Sequence, residues 1–274
     1  MITFPQAKIN LGLNIVARRA DGYHELETVF YPIPLTDALE IVPASGDDIK
    51  LECSGNAVDC PPEKNLVVRA ARLMQRTYSL PPVDIYLHKH IPDGAGLGGG
   101  SSDAASVMTM MRQMFELDVD DAELARLAAT LGADCPFFIY SRPMAATGIG
   151  DVLEPVDVPA LSGKTLLVAK PAAGVSTAEA YSRVVPQPVE VPAREIVTWP
   201  LPMWDGALKN DFEPSVFARL PQLWIMKASL LDAGAQYASM SGSGSSMFGV
   251  FDTHECAERA AESLPDVATF LLEL

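Results

Sequence analysis

The sequence predicts a mixed chain of β-strands and α-helices divided into two domains. Three observations carry this. Runs with a two-residue apolar period are interspersed with runs of helical period along the whole length. The 274 residues, 49% of them hydrophobic, suffice for one large domain or two of ordinary size. A turn-like Gly148-Ile149-Gly150-Asp151, followed by Pro155 and Pro159, marks a boundary and gives domains 1–158 and 159–274.

In chain order, Lys8-Ile9-Asn10-Leu11-Gly12-Leu13-Asn14-Ile15 alternates as a strand, with Lys8, Asn10 and Asn14 on the polar face. That face either meets solvent or lines a site, since it supplies one positive charge and two amides. Asp21-Gly22 signals a turn just before Tyr23-His24. Residues 29–31 and 38–41 read as separate strands, parted by Pro32, Pro34 and a Thr36-Asp37 turn, and residues 49–53 as a further short strand. Asn65 caps a helix to about residue 74. Residues 83–91 form a strand with Val83, Ile85, Leu87 and Ile91 on one face and Tyr86, His88 and His90 on the other. No acidic or cysteine partner stands at a ligand spacing from the two histidines, so they read as a solvated face.

This strand enters the stretch the rest serves, Ile91-Pro92-Asp93-Gly94-Ala95-Gly96-Leu97-Gly98-Gly99-Gly100-Ser101-Ser102-Asp103. Glycine lets backbone approach a ligand closely and turn its N–H groups inward. A helix beginning directly afterwards adds unpaired N–H groups and a positive dipole end. Together these equip the stretch to hold phosphate. A flexible linker would need neither the strand before nor the amphipathic helix after.

After Ser102 a helix is expected to about residue 115, and another opens at Asp120 with Glu123 in the capping-box position and Gly132 at its end. Asp134 then stands beside the apolar Cys135-Pro136-Phe137-Phe138-Ile139-Tyr140, as a helix cap or a buried acid. Residues 165–169 read as a buried strand and 177–184 as a short helix bearing Tyr181; residues 186–206, rich in proline, read as an irregular connection. Asn210-Asp211-Phe212-Glu213 precedes helical sequence, and residues 222–231 continue it. A second glycine–serine loop, Gly242-Ser243-Gly244-Ser245, leads into a strand and taken alone reads as a tight turn. A last helix spans about 254–263.

Twenty basic residues against thirty-five acidic ones give a net charge of −15. Such a surface repels nucleic acid and anionic lipid, so no nucleic-acid or membrane partner is expected. A polyanionic ligand must then be met by local cations and backbone dipoles. Four scattered cysteines without a C-x-x-C pair read as reduced, mostly buried thiols. No signal peptide or membrane-spanning run is apparent, which makes a cytoplasmic protein the expectation.

Gly94, Gly96 and Gly99 also fit the G-x-G-x-x-G of dinucleotide-binding folds, so an NAD-dependent oxidoreductase stays open as an alternative. Gly163-Lys164-Thr165 is no Walker loop, because Val158 stands where a glycine is required. The H-R-D of protein kinases is absent.

Three motifs, in order, resemble the superfamily of galactokinase, homoserine kinase, mevalonate kinase and phosphomevalonate kinase. They are Ala7-Lys8-Ile9-Asn10-Leu11-Gly12-Leu13 with Arg19, Asp21-Gly22-Tyr23-His24 and Thr28; the glycine loop; and Gly242-Ser243-Gly244-Ser245. The segment Leu131-Gly132-Ala133-Asp134-Cys135-Pro136-Phe137-Phe138 is similar to the one that holds the family's catalytic aspartate. The Tyr-His signature points, within the superfamily, to the branch that phosphorylates a cytidine diphosphate-linked methylerythritol in non-mevalonate isoprenoid synthesis. Gln6, Asp93 and Ala95 are small departures from the pattern.

The resemblance implies an α+β fold of two domains. The N-terminal half would be like ribosomal protein S5 domain 2 and the C-terminal half ferredoxin-like, with the active site in the cleft between them. It implies ATP with Mg²⁺, the phosphates held by Pro92, Asp93, Gly94, Ala95, Gly96, Leu97, Gly98, Gly99, Gly100, Ser101 and Ser102. Ser101 and Ser102 are equal candidates to touch the metal. Asp134 would be the general base and Lys8 its electrostatic partner. Tyr23 would stack on cytosine, His24 would bond the ring's edge, Asn10 would contact the methylerythritol end, and Tyr181 would be a second stacking wall. A related kinase for homoserine or mevalonate would share the glycine loop without Asp21-Gly22-Tyr23-His24. A non-enzymatic RNA-binding module conflicts with the charge.

Overall fold

A computed structural model describes residues 1–44, 46–56 and 60–274. Among these, the strands are β1 (Ile2–Thr3), β2 (Gln6–Arg18), β3 (His24–Thr36), β4 (Ala38–Pro43), β5 (Lys50–Gly55), β6 (Val83–Lys89), β7 (Met144–Thr147), β8 (Val152–Pro155), β9 (Thr165–Lys170), β10 (Tyr237–Met240), β11 (Met247–Phe251) and β12 (Ala268–Glu273). The α-helices are α1 (Leu66–Tyr78), α2 (Gly99–Met114), α3 (Asp121–Ala128), α4 (Cys135–Tyr140), α5 (Thr177–Ser182), α6 (Ala193–Ile196), α7 (Glu213–Arg219), α8 (Pro221–Asp232) and α9 (His254–Glu262). The chain forms two compact units. The first comprises Met1–Ala7, Leu35–Asp93 and Gly98–Arg142; the second comprises Lys8–Pro34, Gly94–Leu97 and Pro143–Leu274.

The first unit holds a four-stranded sheet ordered β1-β4-β6-β5. Strands β5 and β6 are parallel, with α1 as their crossover. Asn65 caps α1 by accepting from Val67 N at 3.1 Å, and Val67, Val68, Ala70, Ala71 and Met74 form its buried face. Helix α2 packs against α1, α3, α4 and β4, with Val107, Met108 and Met111 buried. It starts at Gly99, earlier than the sequence indicates, because the left-handed Gly98 (φ 71°) sets its first turn. Asp120 caps α3 by accepting from Glu123 N at 2.7 Å. That helix ends at Ala128, before Gly132.

The second unit holds two sheets. One, ordered β2-β3-β7-β8, grows from the hairpin at Asp21-Gly22. Strand β3 runs straight through Pro32 and Pro34, which the sequence reads as breakers. Its register with β7 covers only Thr28–Phe30, so both prolines lie where β7 needs no donor. The other sheet is antiparallel throughout and ordered β10-β11-β9-β12. With helices between β9 and β10 and between β11 and β12, this is the split β-α-β order of a ferredoxin-like fold. Phe212, Val216, Leu223, Met226 and Leu230 from one helical layer and Ala257 and Ala260 from α9 share its core with Leu167, Met240 and Phe251. Strands β7, β8 and β12 are short or half-exposed and carry no clean alternation, so the sequence gives no sign of them.

The connection at 186–206 is less irregular than its prolines indicate. It contains α6, and Trp204 is fully buried, donating to Trp199 O at 3.1 Å and meeting Tyr237 edge to face. Of the four cysteines only Cys135 is buried. Cys53 is exposed, because β5 is the edge strand of its sheet.

Candidate active site

The polar face of β2 is not solvated. Lys8 is 3% exposed and Asn10 2%. The Lys8 ammonium donates to Asn10 Oδ1 at 2.6 Å and stands 5.1 Å from the centre of the Phe30 ring. Asn10 Nδ2 donates to Thr28 Oγ1 at 3.0 Å, and the Thr28 hydroxyl donates in turn to Gly12 O. Each member donates to the next, and the chain of bonds fixes where the Lys8 charge points. Lys8 N also donates to Leu97 O at 2.9 Å, which ties β2 to the glycine loop.

Within that loop Gly94, Gly96 and Gly98 have φ of 58°, 74° and 71°, alternating with residues of ordinary φ. Such alternation turns successive N–H groups to one side, as in an anion nest. A side chain at Gly94 would meet open space, but at Gly96 a Cβ would fall 2.0 Å from Ser241 O. The second glycine–serine loop is thus more than a tight turn. Ser241 Oγ donates to Gly96 O at 2.8 Å and Ser246 N to Ala95 O at 3.2 Å. A Cβ on Gly242 would sit 3.3 Å from Gly96 Cα and 3.5 Å from Asn10 Oδ1. The two glycine loops, 145 residues apart in sequence, pack against each other, with no room for a side chain at Gly96 and little at Gly242.

Tyr23 follows the β2–β3 hairpin turn and is 61% exposed. Its N–H is held by Asp21 Oδ1 at 3.1 Å, and Arg19 pairs with both Asp21 and Glu25. His24 stacks on Tyr181, centroids 5.1 Å apart and planes 28° apart, and Tyr181 meets Phe212 edge to face at 4.8 Å. The structure therefore joins His24 and Tyr181, although they are distant in sequence.

Asp134 belongs to the first unit. It precedes α4 at the N-cap position, yet its side chain makes no capping bond, and it is half-buried. Neither a plain cap nor a fully buried acid describes it. The neighbouring Cys135 thiol is pushed up to about 11, chiefly by burial, while a hydrogen bond with Ser101 at the start of α2 works the other way. Ser101 is half-buried and Ser102 buried. His88 and His90 are exposed, and among the described residues no group of three or more His, Cys, Asp or Glu could hold a metal ion.

One cluster escapes the sequence reading. Lys89 leaves β6 on the apolar face and is buried between Asp37 and Asp103, donating to both carboxylates, to Asp103 Oδ2 at 2.7 Å. Asp37 Oδ1 also accepts from His90 N at 2.6 Å and Ile91 N at 2.8 Å, the residues that enter the glycine loop. Asp103 Oδ1 has no partner among the described residues. Burial raises the Asp103 carboxyl to about 7; Lys89 opposes this and Asp37 adds to it. Lys89 is itself held above its usual value, the two carboxylates outweighing the cost of its burial. The signal was the parity of Lys89 with Val83, Ile85 and Leu87.

Residues 65–142 match the family described as GHMP kinases N terminal domain, and residues 203–268 match GHMP kinases C terminal. A Bacteroides fragilis protein named 4-diphosphocytidyl-2-C-methyl-D-erythritol kinase is 51% identical over 257 residues, covering 93% of each chain. A crystal structure of 4-(cytidine 5'-diphospho)-2C-methyl-D-erythritol kinase superposes with a TM-score of 0.85 at 35% identity, covering 100% of this chain and 98% of the other. Mevalonate kinase of Methanococcus jannaschii, at 18% identity and a TM-score of 0.71 over 100% and 98% of the two chains, shares the fold.

Proposed function

The chain belongs to the GHMP kinases and within them to the 4-diphosphocytidyl-2-C-methyl-D-erythritol kinases, and on that premise we propose that it transfers the γ-phosphoryl group of ATP to the 2-hydroxyl of 4-diphosphocytidyl-2-C-methyl-D-erythritol. The observation that carries the reading is the run of left-handed glycines 94, 96 and 98 leading directly into the N-terminus of α2. That run offers backbone N–H groups and a positive helix end to a polyphosphate, which a surface of net charge −15 would otherwise repel.

In this reading residues 92–102 hold the ATP phosphates. Mg²⁺ fits as an ion brought with the nucleotide, because such ions lean on phosphate oxygens and water more than on protein cages, and no acidic cage exists among the described residues. Ser101 or Ser102 is the proposed hydroxyl that would touch it. The ion would neutralise phosphate charge.

A substrate alcohol becomes a nucleophile only as its proton leaves. Asp134 is the proposed acceptor, from the resemblance of its segment to the one that holds the family's catalytic aspartate. Lys8 is the proposed stabiliser of the developing negative charge, delivered as a buried, pre-oriented ammonium. That these two act on one reacting centre rests on the resemblance of their motifs. Tyr23 is the proposed stacking surface for cytosine, His24 the proposed bond to its edge, Tyr181 the proposed second stacking wall, and Asn10 the proposed contact to the methylerythritol end. The division into domains 1–158 and 159–274 is part of the same proposal.

ADP release with and without this alcohol, on wild type and Asp134→Asn, tests the reading. Release that requires the alcohol and collapses in the variant supports it. Release with a different alcohol alone would discard the substrate and keep the superfamily.

A further inference from the structure

The segment Asn210-Asp211-Phe212-Glu213 takes no part in the reaction as read above, yet its two buried polar side chains converge on one place. Asn210 is 3% exposed. Its Nδ2 donates to Met240 O at 2.7 Å and to Gly242 O at 2.9 Å, while its Oδ1 accepts from Phe212 N at 3.0 Å. Glu213 is also buried. Its Oε1 accepts from Met240 N at 2.9 Å and from the Ser239 hydroxyl at 3.1 Å, and its Oε2 from Lys227 at 2.6 Å. The segment is tied in turn to β2: Asp211 N donates to Leu13 O at 2.8 Å, and Ile15 N to Asp211 Oδ2 at 2.7 Å.

A residue that only anchored α7 would spend its bonds on that helix. Here four of them go to residues 239–242, the entry of the second glycine loop. That loop then touches Gly96 through Ser241 and comes against Asn10 at Gly242. An amide bridging two carbonyls, two residues apart on one strand exit, fixes both the direction and the depth of the loop. A displacement of about 1 Å at such a contact can cost about 100-fold in rate.

We propose that Asn210 and Glu213 are positioning residues for phosphoryl transfer, clamping the backbone from Ser239 to Gly242 so that the second glycine loop holds Gly96 of the phosphate loop and the Asn10 amide in place. This rests on the reading of residues 92–102 as the ATP-binding loop.

The variants are Asn210→Asp, which keeps the shape but sets a carboxylate against two carbonyl oxygens, Glu213→Ala, and Glu213→Gln, which keeps the Oε1 acceptor. Binding of a fluorescent ATP analogue and steady-state kinetics are measured on protein shown by circular dichroism to be folded at the assay temperature. Asn210→Asp and Glu213→Ala are expected to weaken analogue binding and to lower kcat by about 10- to 100-fold. Glu213→Gln is expected to recover most of the loss. Folded Asn210→Asp and Glu213→Ala with wild-type kcat and analogue affinity would overturn the proposal, whatever their melting temperatures. If neither folds, Gly242→Ala pushes on Gly96 from the loop itself, and unchanged analogue binding there would overturn it equally. Wild type that binds the analogue but phosphorylates no such alcohol would overturn the substrate reading alone. Wild type that binds no nucleotide would overturn both.

Discussion

The carbonyl oxygen of Ser241 occupies the place where a side chain at Gly96 would begin, 2.0 Å from an ideal Cβ. Backbone cannot retreat as a flexible side chain can, and the φ of 74° at Gly96 adds a second objection to any other residue. Gly96→Ala is therefore expected to abolish ATP use and to lower the melting temperature. Gly94→Ala has open space and carries only the left-handed penalty, about 1–2 kcal/mol. The ratio of kcat/KM for ATP in the two variants, with their thermal melts, checks the contrast.

Replacing Asp134 by Asn removes the proposed proton acceptor while keeping the shape. kcat is expected to fall by about 100- to 10,000-fold with KM for the alcohol little changed. The substitution keeps the shape of a half-buried side chain, so the variant is expected to stay folded in a thermal melt. A large loss of stability with kcat retained would remove Asp134 from the chemistry.

Thr28 is both acceptor for Asn10 and donor to Gly12 O. Thr28→Val keeps the volume and leaves two buried groups unpaired, at about 1–3 kcal/mol each. Urea unfolding should report a loss in that range. Since the same bonds orient Lys8, kcat should fall more than the fraction of folded protein does.

Asp103 titrates near 7 in the folded chain against about 3.9 when unfolded. Between those values the folded state holds more protons, so this residue makes the protein less stable as pH rises from about 4 to about 7, and the loss levels off above that. Asp103→Asn stays neutral and leaves Lys89 paired with Asp37. Its melting temperature relative to wild type should climb across that window and then stay level. A difference independent of pH would mean that Asp103 is ionised throughout.

Tyr23 is exposed and makes no side-chain contribution to the core. Stacking of a base on an aromatic ring contributes about 1–3 kcal/mol, so Tyr23→Ala should raise KM for the cytidine-linked alcohol by roughly 5- to 150-fold. KM for ATP and the thermal melt should be unchanged. An equal rise in both KM values would argue against a cytosine contact.

Much of this is legible in the sequence alone. The caps at Asn65 and Asp120 are local chemistry, one side chain reaching two or three residues on. The α1 face and the strand into the glycine loop follow from period alone. The motifs around Lys8, Tyr23, Gly94 and Asp134 are legible because each sets its residue types at short spacing. Strands such as β12 were not, since a half-exposed edge strand needs no strict alternation, and Pro32 and Pro34 misled because their tolerance depends on where β7 stops pairing.

The sequence by itself therefore determined the local elements, the family and the candidate reacting groups, all of which depend on neighbours a few residues away. Only the tertiary structure decided which distant groups share a space: Ser241 against Gly96, Tyr181 on His24, Lys89 between Asp37 and Asp103, and Asn210 across Met240 and Gly242. The reason is physical. A buried polar group must find a partner, but any donor or acceptor of the right geometry will serve, so the pairing is set by how the strands stack and not by residue type.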